Sequence, residues 1–128
     1  MHTAGTHTAR VAIAWDAPQS WPALQSLGEA LLTACDAAVR PHAPTWLGHC
    51  KALFATGDQA AYASLTGADE PITWRGTLLP TASATVTLYA VVYGADDATV
   101  TAAVDNALRI VLPHATPLVF REAKVDEQ

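Results

Sequence analysis

The sequence predicts an α+β sandwich, with an antiparallel sheet carrying two helices on one face. Three observations lead there. Several short segments alternate apolar with polar residues and favour β-branched and aromatic types. Two longer segments change to a helical period. The order strand, helix, strand occurs twice, on either side of an irregular stretch.

The second unit has the clearer grammar. Ala84-Thr85-Val86-Thr87-Leu88-Tyr89-Ala90-Val91-Val92-Tyr93 reads as a strand. Gly94-Ala95-Asp96-Asp97 reads as a turn ending in a helix cap. Ala98 to Leu112 follows as a helix, with Val100, Val104, Ala107, Leu108 and Val111 as its apolar stripe, and Pro113 stops it. Pro117 to Glu122 reads as a last strand, with Leu118 and Phe120 inward.

The first unit repeats the logic. Arg10 to Trp15 alternates, with Val11, Ile13 and Trp15 on one side. Ser20 caps a helix and Pro22 fits its first turn, where a missing N–H costs nothing. Leu24, Leu27, Leu31, Cys35 and Ala38 recur at helical spacing to about Val39, and Pro41 forbids continuation. Thr45 to Ala55 reads as the next strand. Thr56-Gly57-Asp58-Gln59 is a turn. From residue 60 to 80 the pattern allows two short strands, Tyr62–Thr66 and Ile72–Gly76, or an ordered loop. The arrangement is ferredoxin-like, a two-layer sandwich with an extra hairpin or loop. Residues 9–122 form the predicted domain, and residues 1–8 and 123–128 are polar tails.

Composition narrows the class. At 128 residues, 51% hydrophobic and 15% charged, the chain suits one globular domain. No apolar run approaches the roughly 20 residues that span a bilayer, and the first residues lack the pattern of a secretory signal. The expectation is a soluble cytoplasmic protein. Seven Lys and Arg stand against twelve Asp and Glu, for a net charge of −5, and the cations are scattered along the chain. A phosphate backbone needs clustered cations, so no nucleic acid and no anionic membrane is expected as a partner. Cys35 and Cys50 have no CxxC partner and are expected to be buried free thiols.

Two helices leave one sheet face uncovered. The alternation assigns it His49, Lys51, Thr85, Thr87, Tyr89, Val91 and Tyr93. His49 can exchange a proton near neutral pH, Lys51 can hold an anion, and Tyr89 or Tyr93 can orient a substrate oxygen. Arg75, beside Trp74, Asp69 and Glu70, adds a further binding candidate. The candidate ligand-binding set is therefore His49, Lys51, Tyr89, Tyr93 and Arg75.

Stronger chemical signatures are missing. His2, His7, His42, His49 and His114 form no HExxH, and His49 and Cys50 point to opposite sides of a strand. No cofactor is expected. Ser64 lies outside any GxSxG. Gly94 is followed by Asp96 and Asp97, which suit a helix N-terminus and repel a phosphate.

Two stretches carry a family resemblance. One is Gly48-His49-Cys50-Lys51-Ala52-Leu53-Phe54, following a helix. The other is Val91-Val92-Tyr93-Gly94-Ala95-Asp96-Asp97, continuing into Val104-Asp105-Asn106-Ala107-Leu108. Together they resemble the C-terminal domain of CobW-type metallochaperone GTPases. The resemblance implies the same sandwich and a metal-related or regulatory context. The P-loop domain and the metal-binding cysteine motif are absent, and Gly48-His49 replaces the arginine usual before the strand lysine.

Three functional expectations follow. The first is a non-enzymatic module that binds a small ligand or a protein and forms a homodimer through its open sheet face. The second is a small enzyme using His49 as acid or base, with Lys51 and Tyr89 or Tyr93 positioning substrate. The third is a metal-handling accessory domain.

Overall fold

The computed structural model describes residues 3–118. In chain order they form β1 (Ala4–Gln19), α1 (Trp21–Val39), β2 (Leu47–Thr56), β3 (Gln59–Gly67), β4 (Thr73–Arg75), β5 (Thr81–Tyr93), α2 (Asp97–Val111) and β6 (Thr116–Leu118). The strands make one sheet in the order β4-β3-β2-β5-β1-β6, and every neighbouring pair is antiparallel. The architecture is thus α+β. No helix among the described residues is long and apolar enough to cross a membrane.

The helices start and stop where local chemistry says they should. The Ser20 side chain accepts from the Ala23 amide at 3.3 Å, with Pro22 in the first turn. Asp96 accepts from the Thr99 amide at 2.8 Å and caps α2. Those hydrogen bonds hold the Asp96 carboxyl below the usual carboxylate range. The loop after α1 is pinned by Asp36, which accepts from Arg40 Nε at 2.9 Å and from Trp46 Nε1 at 2.8 Å. Arg40 also reaches Asp69 at 3.1 Å, tying this loop to the turn after β3.

The core is the alternate face of the strands against the helix stripes. Cys50, Ala52 and Phe54 of β2, Ala61, Ala63 and Leu65 of β3, and Val86, Leu88, Ala90 and Val92 of β5 are buried. Leu24, Leu31, Leu32 and Cys35 of α1 meet them, with Val100, Val104 and Ala107 of α2. α1 packs on α2, β2 and β3, and α2 packs on β1 and β5. Among the described residues no polar or charged side chain is buried.

Two sequence expectations need correction, and one open alternative is decided. The strand β1 begins at Ala4, within the stretch read as a tail. Residues 4–8 pair with Tyr93 to Tyr89, the Thr6 amide donates to Asp97 Oδ1 at 2.9 Å, and His7 Nε2 lies 3.1 Å from Asp105. Their backbone partners are some ninety residues away, so local polarity did not reveal them. Residues 60–80 take the two-strand alternative, with β3 and β4 widening the sheet beyond β2. Leu118 is register partner to Arg10 and 40% exposed, so it does not point inward. Phe120 and the 123–128 tail lie outside the described residues.

Trp74 of β4 closes the core beyond β3. Its indole donates to Glu29 Oε2 at 3.2 Å, meets Trp21 edge-on at 5.1 Å and lies 6.5 Å from Phe54. Gly28 of α1 leaves room for it: a Cβ there would stand 2.6 Å from the Trp74 ring. In an ordinary helix Gly→Ala stabilises by about 1 kcal/mol. Here overpacking costs about 1–3 kcal/mol, because three contacts hold the indole in place. Gly28→Ala is therefore expected to lower the urea midpoint of unfolding rather than raise it.

The depressed Asp96 carboxyl makes a pH prediction. A carboxylate held below its unfolded value stabilises the fold above that value, and the contribution is lost as pH falls through the folded value. Asp96→Asn keeps a capping oxygen but no charge. Its melting temperature is expected to lie below wild type near neutral pH and to converge with it in acid.

Candidate functional site

The strand residues that alternate with the core make the opposite sheet face, and all of them are exposed or half-buried. Strand register places them in rows. Arg75, Tyr62, Leu53, Thr87 and Arg10 are successive partners across β4, β3, β2, β5 and β1. In the next row Thr73, Ser64, Lys51, Tyr89 and Thr8 are partners across the same strands. Beyond them lie His49, Val91 and Thr6, and then Leu47, Tyr93 and Ala4.

All five candidates from the sequence therefore share one face. Lys51 sits near its middle, between Ser64 and Tyr89. Its Nζ lies 5.1 Å from the centroid of the Tyr62 ring, a cation–π distance. His49 is exposed and occupies the irregular stretch of β2, where the register against β3 shifts between Leu47 and Cys50. Gly48 makes this irregularity possible: its φ is 153°, and a Cβ would stand 1.9 Å from the Val91 carbonyl oxygen. Tyr93 pairs with Leu47 at one end of the face, and the two are 50% and 64% exposed. Arg75 is exposed and partners Tyr62. Its neighbour Trp74 points to the helix side, and Asp69 belongs to the Arg40 cluster, so the sequence's local edge of Asp69, Glu70, Trp74 and Arg75 is not one surface.

Two residues of the face escaped the sequence reading. Tyr62 alternates with buried Ala61 and Ala63, a signal that was present but needed the strand at 59–67 to be certain. Arg10 alternates with buried Val11 and so lies on the open side of β1. Its relation to Lys51 depends on β5 lying between β1 and β2, which no local pattern encodes. Arg10 Nε donates to Thr87 Oγ1 at 3.2 Å.

The face is chemically lopsided. The residues that the register pairs place on it include the cations Arg10, Lys51 and Arg75 and no Asp or Glu. Read diagonally, the order is Arg75, Tyr62, Lys51, Tyr89, Arg10. With strands about 4.8 Å apart, the Cα atom of Lys51 lies about 12 Å from that of each arginine. Three hydroxyl side chains, Thr73, Ser64 and Thr8, flank Lys51 and Tyr89 in their row.

A groove of about 960 Å³ lies elsewhere, between β1 and α2. Leu108, Leu112 and Val11 line it, with the His7–Asp105 pair and Arg109 at its rim. Pro117 and Leu118, where the described chain ends, form one wall, so the described residues bound it incompletely. None of the sequence's five candidates lines it.

Cys35 and Cys50 are both free and buried. Contact with Cys35 and burial push the Cys50 thiol well above the usual range. Cys35 Sγ also approaches the Ala103 carbonyl oxygen at 3.8 Å. Among the described residues no group of three or more His, Cys, Asp or Glu side chains is placed to hold a metal ion. Against known proteins, no family model, no curated protein and no solved structure matches the chain.

Reactivity follows thiolate character and access. Both cysteines are expected to resist a thiol reagent such as Ellman's in the native protein and to react together once it unfolds. Rapid labelling of Cys50 in the native state would show that the helix–sheet layer opens.

Proposed function

We propose that the chain is a non-enzymatic binding module with a ferredoxin-like sandwich, and that the open sheet face is its working surface. The strand order supports the fold reading. α1 joins β1 to β2 with β5 between them, α2 joins β5 to β6 with β1 between them, and β3 and β4 are an added hairpin edge. The observation that carries the function is the gathering of Lys51, Tyr89, Tyr93, His49 and Arg75 on one face with no acidic residue among the register partners. Cations and tyrosines are interaction groups, and tyrosine and arginine are enriched where interfaces gain most of their energy.

Geometry favours binding over catalysis. A reacting centre needs converging groups in a concavity. His49 is exposed, and none of the three cavities found includes it or Lys51. Self-association is the second reading, favoured by the exposed pair Leu47 and Tyr93 at one end of the face. The resemblance of the Gly48–Phe54 and Val91–Leu108 stretches to a domain that accompanies a GTPase agrees with an accessory role.

The reading is tested by backbone-amide NMR on the whole chain. The spectrum is followed on dilution and on addition of a panel of acidic, basic and neutral peptides and small organic anions. Shifts are expected at Lys51, Tyr62, Arg75 and Tyr89. Dilution-dependent shifts at Leu47 and Tyr93 would establish self-association. A response centred on His7, Asp105 and Arg109 would move the function to the groove, and a spectrum indifferent to every addition would overturn the reading.

A further inference from the structure

The charge distribution of the open face says what kind of partner it takes. We infer that the face docks an acidic protein segment, with Lys51 and Arg75 pairing its carboxylates, Tyr62 packing between them and Tyr89 packing on the far side of Lys51. This rests on the face being the binding surface.

The whole chain is acidic, with twelve Asp and Glu against seven Lys and Arg. Nine of the acids lie among the described residues: Asp16, Glu29, Asp36, Asp58, Asp69, Glu70, Asp96, Asp97 and Asp105. They fall on helices, turns and the irregular end of β1, and none is a register partner on the open face. Among the described residues that the register places on this face every charge is positive, in a protein that is acidic as a whole. Lys51 and Arg75 have no acidic partner among the described residues. Their charges are open to a ligand, and Tyr62, under Lys51 and beside Arg75, offers a ring between them.

Three occupants compete, and the charges separate them. A second copy placed face to face would set Lys51 and Arg75 of one molecule against the same cations of the other. Like charges brought together are a standard device against wrong pairing. A nucleic acid backbone is a dense polyanion whose binding grows with the number of cations clustered on it. Here the cations lie about 12 Å apart on strands spaced about 4.8 Å, in a molecule of net charge −5. A protein segment with separated carboxylates and apolar residues between them matches both the spacing and the tyrosines. Lys51, Tyr62, Arg75 and Tyr89 line neither the groove beside α2 nor the other two cavities found, which suits a segment laid across the strands rather than a small molecule.

Fluorescence anisotropy with labelled peptides decides the matter. The probes are a Glu-rich peptide containing leucine and phenylalanine, its Lys-for-Glu counterpart, and single-stranded oligothymidylate. The full chain is expected to bind the acidic peptide at low salt, with affinity falling as salt rises. Lys51→Gln with Arg75→Gln is expected to weaken it about tenfold, two solvent-exposed charge contacts being lost together. Arg109→Gln, a cation on α2 away from the face, is expected to bind as wild type. Equal binding of the Lys-for-Glu peptide, or no loss in the double variant, would overturn the inference. So would tighter binding of oligothymidylate dependent on the same two residues, or a wild-type dimer that the double variant strengthens and the acidic peptide fails to disrupt. If the face responds to ligands without preferring the acidic peptide, the binding surface stands and the acidic partner falls.

Discussion

The register of β5 against its two neighbours governs the rest of the molecule. Its pairing with β1 runs from Tyr93 opposite Ala4 to Ser83 opposite Ala14, and its pairing with β2 from Tyr93 opposite Leu47 to Thr85 opposite Ala55. A strand alternates sides every residue, so this alignment sends Val86, Leu88, Ala90 and Val92 into the core and Thr87, Tyr89 and Tyr93 out of it. A slip of one residue would bury Tyr89 and bring Val86 and Leu88 to the surface. The buried valines and leucines forbid that, and every placement on the open face inherits its certainty from them.

Large side chains at the margins lock the helices to the sheet. Trp74 fills the space over Gly28, and Trp46 anchors to Asp36 beside Arg40. Trp74 lies on the added edge, and the carbonyl of Trp46, just before β2, accepts from the Ala68 amide after β3, so both tryptophans fasten that edge to α1. The edge strands β3 and β4 thereby become part of a rigid surface, and Tyr62 and Arg75 stand in line with Lys51. A face built on strands holds its groups at fixed spacing.

Much of this was written locally. The caps Ser20 and Asp96, the stops at Pro41 and Pro113 and the alternation in β2 and β5 each depend on a few adjacent residues, and the elements they imply are present. His49, Lys51, Tyr89 and Tyr93 could be put on one side of the sheet because strand alternation is local as well. The polar start of β1 was misread because its threonines, His7 and glycine carry no apolar pattern. What makes them a strand is the edge of β5 and the carboxylate of Asp97, both far away in the chain. Tyr62 was missed for the same reason, since β3 is a strand only when β2 supplies its partner.

By itself the sequence determined the α+β class, most of the elements, most of the inward residues and the face to which each strand candidate belongs. These follow from periods of two and 3.6 residues and from capping chemistry, which act over a few positions. Only the tertiary structure decided strand order, the pairing of residues 4–8, the use of residues 60–80 as sheet edge and the gathering of scattered cations. Arg10, Lys51 and Arg75 are remote in the chain, and no local pattern links them. They share one face because antiparallel pairing across β4, β3, β2, β5 and β1 places them in adjacent rows, while the described acidic residues fall on helices, turns and the irregular end of β1.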